Sequence, residues 1–355
     1  MKALVLSGGS GTRLRPFSHS MPKQLIPIAN RPVLEHVVDG ILRLGVTDIG
    51  IVVGDRAAEI EAALGDGSRH GARLTYIRQD QPRGLAHCVA IAQDFLGDDD
   101  FVMYLGDNML PQGVGEVAQD FHEHRPAVQV AVHKVADPRA FGVAETTPDG
   151  TVLRLVEKPR EPRSDLALIG VYFFTPAIHR AVAAIRPSAR GELEITDAIQ
   201  WLVAHGEPVR ATEYAGYWRD TGRVEDVLEC NREILGGLSR EVAGEVDSAS
   251  EIIGTVVVEA GARVVRSRIE GPAVIGADSV VSDSHIGPHT SIGRDCAISR
   301  TDIAYSITLD GARVVGARRL HGSVIGRAAT VTTPDHPAGL RSLVVGDHAR
   351  IEVAA

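Results

Sequence analysis

Aromatic residues are scarce in this chain: seven Phe, six Tyr and two Trp in 355 residues, of which only Tyr305 lies beyond residue 240. Composition therefore shifts near that point, in a chain long enough for two domains with their own cores. Cysteine is scarcer still. Cys88, Cys230 and Cys296 are scattered, a pattern that suggests neither a disulfide framework nor a zinc site. The 14 His residues show no metal-ligand spacing. No apolar run approaches a membrane span, and the N-terminus enters a strand rather than the apolar segment of a signal peptide. The expected location is the cytoplasm, with no membrane partner. Acidic side chains are missing from residues 1–34, which hold Lys2, Arg13, Arg15, Lys23 and Arg31, although the chain carries a net charge of −9. A local cationic pocket in an acidic protein implies a small polyanionic ligand rather than a nucleic acid.

What that basic stretch does contain is a strand and a glycine-rich turn. The apolar run Ala3-Leu4-Val5-Leu6 reads as a buried strand. It empties into Ser7-Gly8-Gly9-Ser10-Gly11-Thr12, where missing Cβ atoms let the backbone turn sharply and approach a ligand. Exposed N–H groups in such a turn suit phosphate oxygens. Two familiar phosphate loops do not fit. A P-loop ends in Gly-Lys-Ser/Thr, whereas this one ends Gly11-Thr12-Arg13. A dinucleotide fingerprint needs a third small residue where Leu14 stands.

Downstream, Asn30 is expected to cap a helix over about 31–44, with Gly45 ending it. A strand (49–53), a helix (57–64), a strand (74–77), a helix (85–96) and a strand (101–105) follow, the last stopping at Gly106-Asp107-Asn108. Alternation of this kind predicts an α/β domain with a mostly parallel sheet and ligands at the strands' carboxyl ends. From 128 to 174 the pattern becomes strand-rich, with a hairpin turn at 147–150, and helices are expected over 194–205 and 224–235. Beyond residue 240, glycine-punctuated sixes take over: Ile269, Ile275 and Val281, then Val280, Ile286, Ile292 and Ile298. A period of six cannot be a helix face but suits a parallel β-helix. Domains are therefore placed at 1–240 and 241–355, the second with on the order of five coils of about 18 residues. A loop is expected over 331–337 before a last rung at 343–353.

The combination Gly-Gly-Ser-Gly-Thr-Arg-Leu at 8–14, a ten-residue step from Arg13 to Lys23, and Pro22-Lys23-Gln24-Leu25 resembles the sugar-1-phosphate nucleotidylyltransferase family. The resemblance implies a Rossmann-like nucleotidyltransferase domain followed by a left-handed β-helix of hexapeptide repeats. It implies that Arg13 holds an NTP triphosphate and Lys23 reaches the reacting phosphates, with Leu6, Gly8, Gly9, Gly11 and Thr12 along the nucleotide. Asp107 and Asp220 match Mg²⁺-binding positions. Val156-Glu157-Lys158-Pro159 resembles the family's Glu-Lys-Pro, where Glu157 would bind sugar hydroxyls and Lys158 the sugar phosphate. Gly142, Tyr172 and Glu192 match sugar-pocket positions. Gln79, five residues before Gly84, would read the base, and Gly84-Leu85-Ala86 resembles the thymidylyl-transferring members. His87 stands where Gln is more frequent, and Arg223 where Thr is common.

The implied substrates are dTTP and glucose 1-phosphate, with pyrophosphate as product. Joining them needs charge neutralisation and alignment rather than a Ser/His/Asp apparatus, because the phosphate nucleophile is already ionised. UTP- or ATP-dependent transfer stays open. So does a bifunctional enzyme whose β-helix transfers acyl groups, with His285, His289, His321 or His336 as base. An inactive nucleotide-sugar sensor is disfavoured by the intact Arg13, Lys23, Asp107, Lys158 and Asp220. Every candidate for the transfer precedes residue 221, so the repeat is expected to serve homo-oligomer assembly rather than chemistry.

Overall fold

The computed structural model of the protein describes residues 1–9, 11–332 and 342–352. It has two compact units, Met1–Gly9 with Leu34–Asp220, and Ser10–Val33 with Thr221–Ala355. The first strand of the repeat is Glu241–Val242. The segment Ser10–Val33 and the stretch that starts at Thr221 both group with the repeat rather than with the first unit.

The first unit is built on a nine-stranded mixed sheet. Its main path runs Val152–Glu157, Gly142–Thr146, Leu166–Phe174, Phe101–Leu105, Lys2–Ser7, Asp48–Val53 and Arg73–Arg78, and Val128–Lys134 and Val209–Glu213 extend it from Leu166–Phe174. Lys2–Ser7 is parallel to both of its neighbours. Its residues Ala3 to Leu6 are at most 6% exposed, the near-continuous burial of a strand covered on both faces. Leu166–Phe174 is antiparallel to its partners and carries a register shift between Leu168 and Tyr172. Leu4, Phe101, Met103, Val130, Phe174, Ile199 and Leu202 lie in one core cluster under the helices Leu85–Ile91, Ala177–Ala184 and Ile195–Ala204. The hairpin expected at 147–150 joins the antiparallel strands Gly142–Thr146 and Val152–Glu157. The helix expected over 85–96 is broken at Ala92 into Leu85–Ile91 and Gln93–Leu96.

In the second unit the repeat forms three parallel sheets, two of seven strands and one of five, a left-handed β-helix. Inward side chains stack in three ladders, such as Ile269, Ile286, Ile303 and Leu320. Most coils are 17 residues rather than 18, as where Val256 pairs with Ala273, and Ala273 with Thr290. The reason is that one of the three sides is shorter by a residue. Buried Ile275 and Val281 are six apart, but Val281 and Ile286 are five. Val281 is thus the inward residue, and Val280 is half-buried. Serine and threonine mark the same corner on successive coils. The Ser267 N–H donates to Ser250 Oγ (3.0 Å), Ser284 N–H to Ser267 Oγ (3.1 Å) and Thr301 N–H to Ser284 Oγ (3.0 Å). Val331 and Thr332, expected in a loop, belong to the strand Thr330–Thr332. The remainder of that loop, His336, Val353 and Ser10 lie outside the described residues.

Asn30 is not a helix cap. The helix is Val33–Leu42, and Asn30 (φ 62°) sits in a hairpin turn between Pro27–Ile28 and Arg31–Pro32.

Candidate active site

Parallel strands in register end together, and that is what assembles the first group of candidates. Leu6 pairs with Val52 on one side and Leu105 on the other. The Gly106 N–H donates to the Leu6 carbonyl (2.9 Å), and the Gln79 N–H to the Val53 carbonyl (2.8 Å). Gly8, Gln79 and Asp107 therefore leave the sheet at one edge, the carboxyl edge where α/β folds bind ligands. Asp220 is brought there from far along the chain. Arg219–Asp220 pairs antiparallel with Asn108–Met109, with Asp220 opposite Asn108. Trp218 fixes this ribbon by donating its indole N–H to Asn108 Oδ1 (3.3 Å) and placing its ring edge-on to Phe141 at 5.4 Å.

A cleft of about 260 Å³ gathers Asp107, Gly142, Glu157, Lys158, Tyr172, Glu192 and Asp220, all expected from the sequence. Consecutive strand residues point to opposite faces, so Glu157 and Lys158 can share the cleft only if the backbone turns. It does so: Lys158 has φ 41°, a left-handed conformation that costs a non-glycine residue about 1–3 kcal/mol. The Lys158 Nζ then lies 3.4 Å from Glu157 Oε1. Thr196 donates to Glu157 Oε2 at 3.2 Å.

Three further lining residues stand in segments that the sequence singles out, 190–197 and 217–220, but receive no role from it. Arg190 reaches Glu157 (3.4 Å), Glu192 (3.0 Å) and Glu194 (3.5 Å). Glu194 is 5% exposed, and burial raises its pKa against the opposing pull of the Ser188 hydrogen bond. Trp218 is the third. Arg190 and Glu194 could have been assigned as neighbours of Glu192; nothing local assigns Trp218. Burial holds the Tyr172 phenol well above its ordinary pKa, so it lines the cleft as a neutral ring.

Five carboxylates and two cations, Lys158 and Arg190, face this cleft. That acidic excess suits a divalent cation. Asp107 and Asp220 could supply hard oxygen donors for one, with the rest of its shell left to phosphate oxygens and water. Among the described residues, no group of three or more His, Cys, Asp and Glu could hold a metal without such help.

A second group lies along the same edge. Gln79 is 8% exposed, and the space where a Cβ on Gly8 would sit is 3.6 Å from its Oε1. Its Nε2 lies 2.9 Å from His87 Nδ1 and 3.2 Å from Cys88 Sγ. Burial, then the charge of Arg83, lower the His87 pKa, so the ring is neutral at pH 7 and Nδ1 can accept the amide proton. Burial pushes the Cys88 thiol up to about 12, which leaves it unreactive.

Arg13 and Lys23 lie in the other unit, on a segment that folds back on itself. A Cβ on Gly11 (φ 58°) would stand 3.1 Å from Lys23 Cβ and 3.2 Å from Ser18 Cβ. The ten-residue step between Arg13 and Lys23 thus closes a compact loop, which presents Thr12 and Arg13 exposed and Lys23 half-buried. Of the histidines in the repeat, His285 lies between Glu270 (3.4 Å) and Asp302 (3.3 Å). His321 stacks on Tyr305, and burial lowers the His289 pKa. The structure does not bring these three into one catalytic group.

Comparison with known proteins agrees with this geometry. The chain is 52% identical over 355 residues to a glucose-1-phosphate thymidylyltransferase of Streptomyces griseus, covering all of both chains. It is 52% identical over 354 residues to the enzyme of that name from Streptomyces antibioticus, covering 99% of each. A solved structure of a Bacillus anthracis protein described as a glucose-1-phosphate thymidylyltransferase, in complex with a sucrose, superposes with a TM-score of 0.62 at 31% identity. It covers 68% of this chain and 97% of that one. Residues 2–236 match the nucleotidyl transferase family, and with the sheet edge and cleft described above the chain belongs to that family.

Proposed function

We propose that the protein transfers the dTMP moiety of dTTP to glucose 1-phosphate, giving dTDP-glucose and pyrophosphate. The observation that carries this reading is the cleft in which Asp107 and Asp220 stand beside Glu157 and Lys158, supported by the names of the Streptomyces relatives. An ionised oxygen of the sugar phosphate forms a bond to the α-phosphorus as the bond to the bridging oxygen breaks. Pyrophosphate leaves with that electron pair, and no proton has to be taken from the nucleophile.

Lys158 and Arg190 hold the sugar phosphate. Glu157 and Glu192 accept hydrogen bonds from sugar hydroxyls, and Gly142 and Tyr172 form the wall. The Gln79 amide pairs with the pyrimidine edge next to Gly84. Leu6, Gly8, Gly9, Gly11 and Thr12 follow the nucleotide, while Arg13 and Lys23 neutralise the triphosphate. Members of this family generally use a divalent metal. Asp107 and Asp220 would hold Mg²⁺ here, and the ion would supply charge neutralisation at the phosphates.

The reaction takes place in the cytoplasm on this reading, in keeping with three free, buried cysteines and no helix among the described residues long and apolar enough to cross a membrane. The β-helix joins copies of the chain into a homo-oligomer. The test is pyrophosphate release across several NTPs and sugar 1-phosphates. dTTP with glucose 1-phosphate should be fastest, UTP slower and purine triphosphates poor. Faster release with ATP or GTP, or none with any pair, would overturn the proposal.

A further inference from the structure

The segment that carries Arg13 and Lys23 is fastened at both ends within the second unit. Near one end, Gly346 of the last rungs lies against Pro16: a Cβ built on that glycine would meet the proline ring carbons at 3.2 and 3.3 Å. At the other end is the two-residue hairpin turn Ala29–Asn30. Both residues have left-handed φ, 48° and 62°, as the favoured hairpin turn requires, yet alanine is poorly suited to that conformation. Something outside the turn has to hold it.

That group is Asn231, on the helix Val224–Gly236 and fully buried. Its Oδ1 accepts the Ala29 N–H at 2.8 Å and the Ser291 hydroxyl at 2.7 Å. Its Nδ2 donates to the His289 carbonyl at 3.3 Å. Asn30 adds a second stitch by donating its side-chain amide to the Ile292 carbonyl at 2.7 Å. Both acceptor positions of the Asn231 oxygen are used, so the side chain joins hairpin, helix and coil in one node. From the hairpin, backbone bonds run back to the lysine. The Val33 N–H donates to the Ile26 carbonyl (3.1 Å), and the Ile26 N–H to the Lys23 carbonyl (3.3 Å).

We propose that the β-helix is the scaffold of the phosphate-handling segment, and that Asn231 is the positioning residue that sets Lys23 and Arg13 through the Ala29–Asn30 turn. The inference rests on the reading of those two cations as triphosphate contacts. It reverses the expectation that the repeat is dispensable for chemistry because every candidate precedes residue 221. A segment held at only one end could shift by an ångström, and misplacement on that scale costs on the order of 10²-fold in rate.

The test uses the full-length protein. Asn30→Gly keeps a residue at ease with φ 62° and removes only the tether to Ile292, while Asn231→Ala removes the node. Turnover with both substrates saturating should fall roughly 3–10-fold in Asn30→Gly and on the order of 10²-fold in Asn231→Ala. KM for glucose 1-phosphate should stay within about twofold, because none of its candidate contacts lies on this segment. Hydrogen exchange should speed up in residues 11–26 of both variants and remain unchanged in the coils over 256–325. Wild-type turnover in both variants would overturn the proposal. So would unchanged exchange in 11–26, or faster exchange spread evenly through the coils. If Asn231→Ala does not fold, Asn30→Gly decides alone. If the unaltered protein transfers no nucleotide, the functional reading fails, and the exchange measurement still decides whether the coils hold the segment.

Discussion

Gly84→Ala probes the joint between the Gln79 group and the cleft that holds Glu192. Gly84 adopts φ 99° and ψ 169°, a region that is essentially glycine-only and costs any other residue about 1–3 kcal/mol. A Cβ there would also lie 2.4, 2.7 and 2.9 Å from the O, N and C atoms of Leu193. Those atoms are backbone and cannot rotate away. They are also hydrogen-bonded, the Ala86 N–H to the Leu193 carbonyl (3.0 Å) and the Leu193 N–H to the Arg83 carbonyl (2.8 Å). Overpacking of this kind adds roughly 1–3 kcal/mol, so a loss of about 2–6 kcal/mol is expected in all. Gly191→Ala is the matched control. Gly191 also has positive φ (78°), but nothing lies within 4 Å of its Cβ position, so only the left-handed penalty of roughly 1–2 kcal/mol applies. Urea unfolding followed by tryptophan fluorescence reports on the right unit, because Trp201 and Trp218 both belong to it. Leu193 separates Glu192 from Glu194, so kcat/KM should fall on the order of 10²-fold in Gly84→Ala. The reasoning fails if Gly84→Ala is no less stable than Gly191→Ala, or if its kcat/KM is unchanged.

Asp107→Asn and Asp220→Asn should each lower turnover on the order of 10²-fold with little change in thermal stability; near-normal turnover of either at saturating Mg²⁺ would remove that residue from the metal site. Lys158→Ala should mainly weaken use of glucose 1-phosphate, whereas Lys23→Ala should reduce turnover with both substrates saturating, and identical kinetic profiles would erase the division of roles. Gln79→Ala should erode the preference for pyrimidine over purine triphosphates by about 1–3 kcal/mol, the cost of leaving a buried polar group unpaired. His87 gives a pH dependence with a definite sign. Its pKa is lowered from 6.5 in the folded protein, so folding favours the neutral ring. The stability it contributes is complete above about pH 6.5 and declines as pH falls below that toward the folded value. dTTP affinity should decline over the same window as Nδ1 ceases to accept from Gln79. Titration of affinity between pH 5 and 8 checks this, and His87→Gln should flatten the curve.

Two kinds of information were legible in the sequence because they are local. The run Ala3 to Leu6 ahead of a glycine-rich turn reads as a buried strand, and Lys2–Ser7 is that strand, paired in parallel on both sides. The six-residue aliphatic period excluded a helix and announced the β-helix, since each rung repeats the same packing requirement. What the sequence did not disclose depends on partners distant along the chain. The 17-residue coil follows from how three unequal sides close on one another. Asn30 reads locally as a helix cap, but its amide is satisfied by the Ile292 carbonyl, 262 residues away, and so it serves a turn. Glu157 and Lys158 share one cleft only because the backbone adopts a left-handed conformation, held by a Lys158 N–H bond to the Phe141 carbonyl at 3.0 Å. Asp220 joins Asp107 through a strand pairing across more than a hundred residues. Residue types and periods fix which elements form; which side chains meet is decided by long-range pairing and by the need of each buried polar group to find a partner.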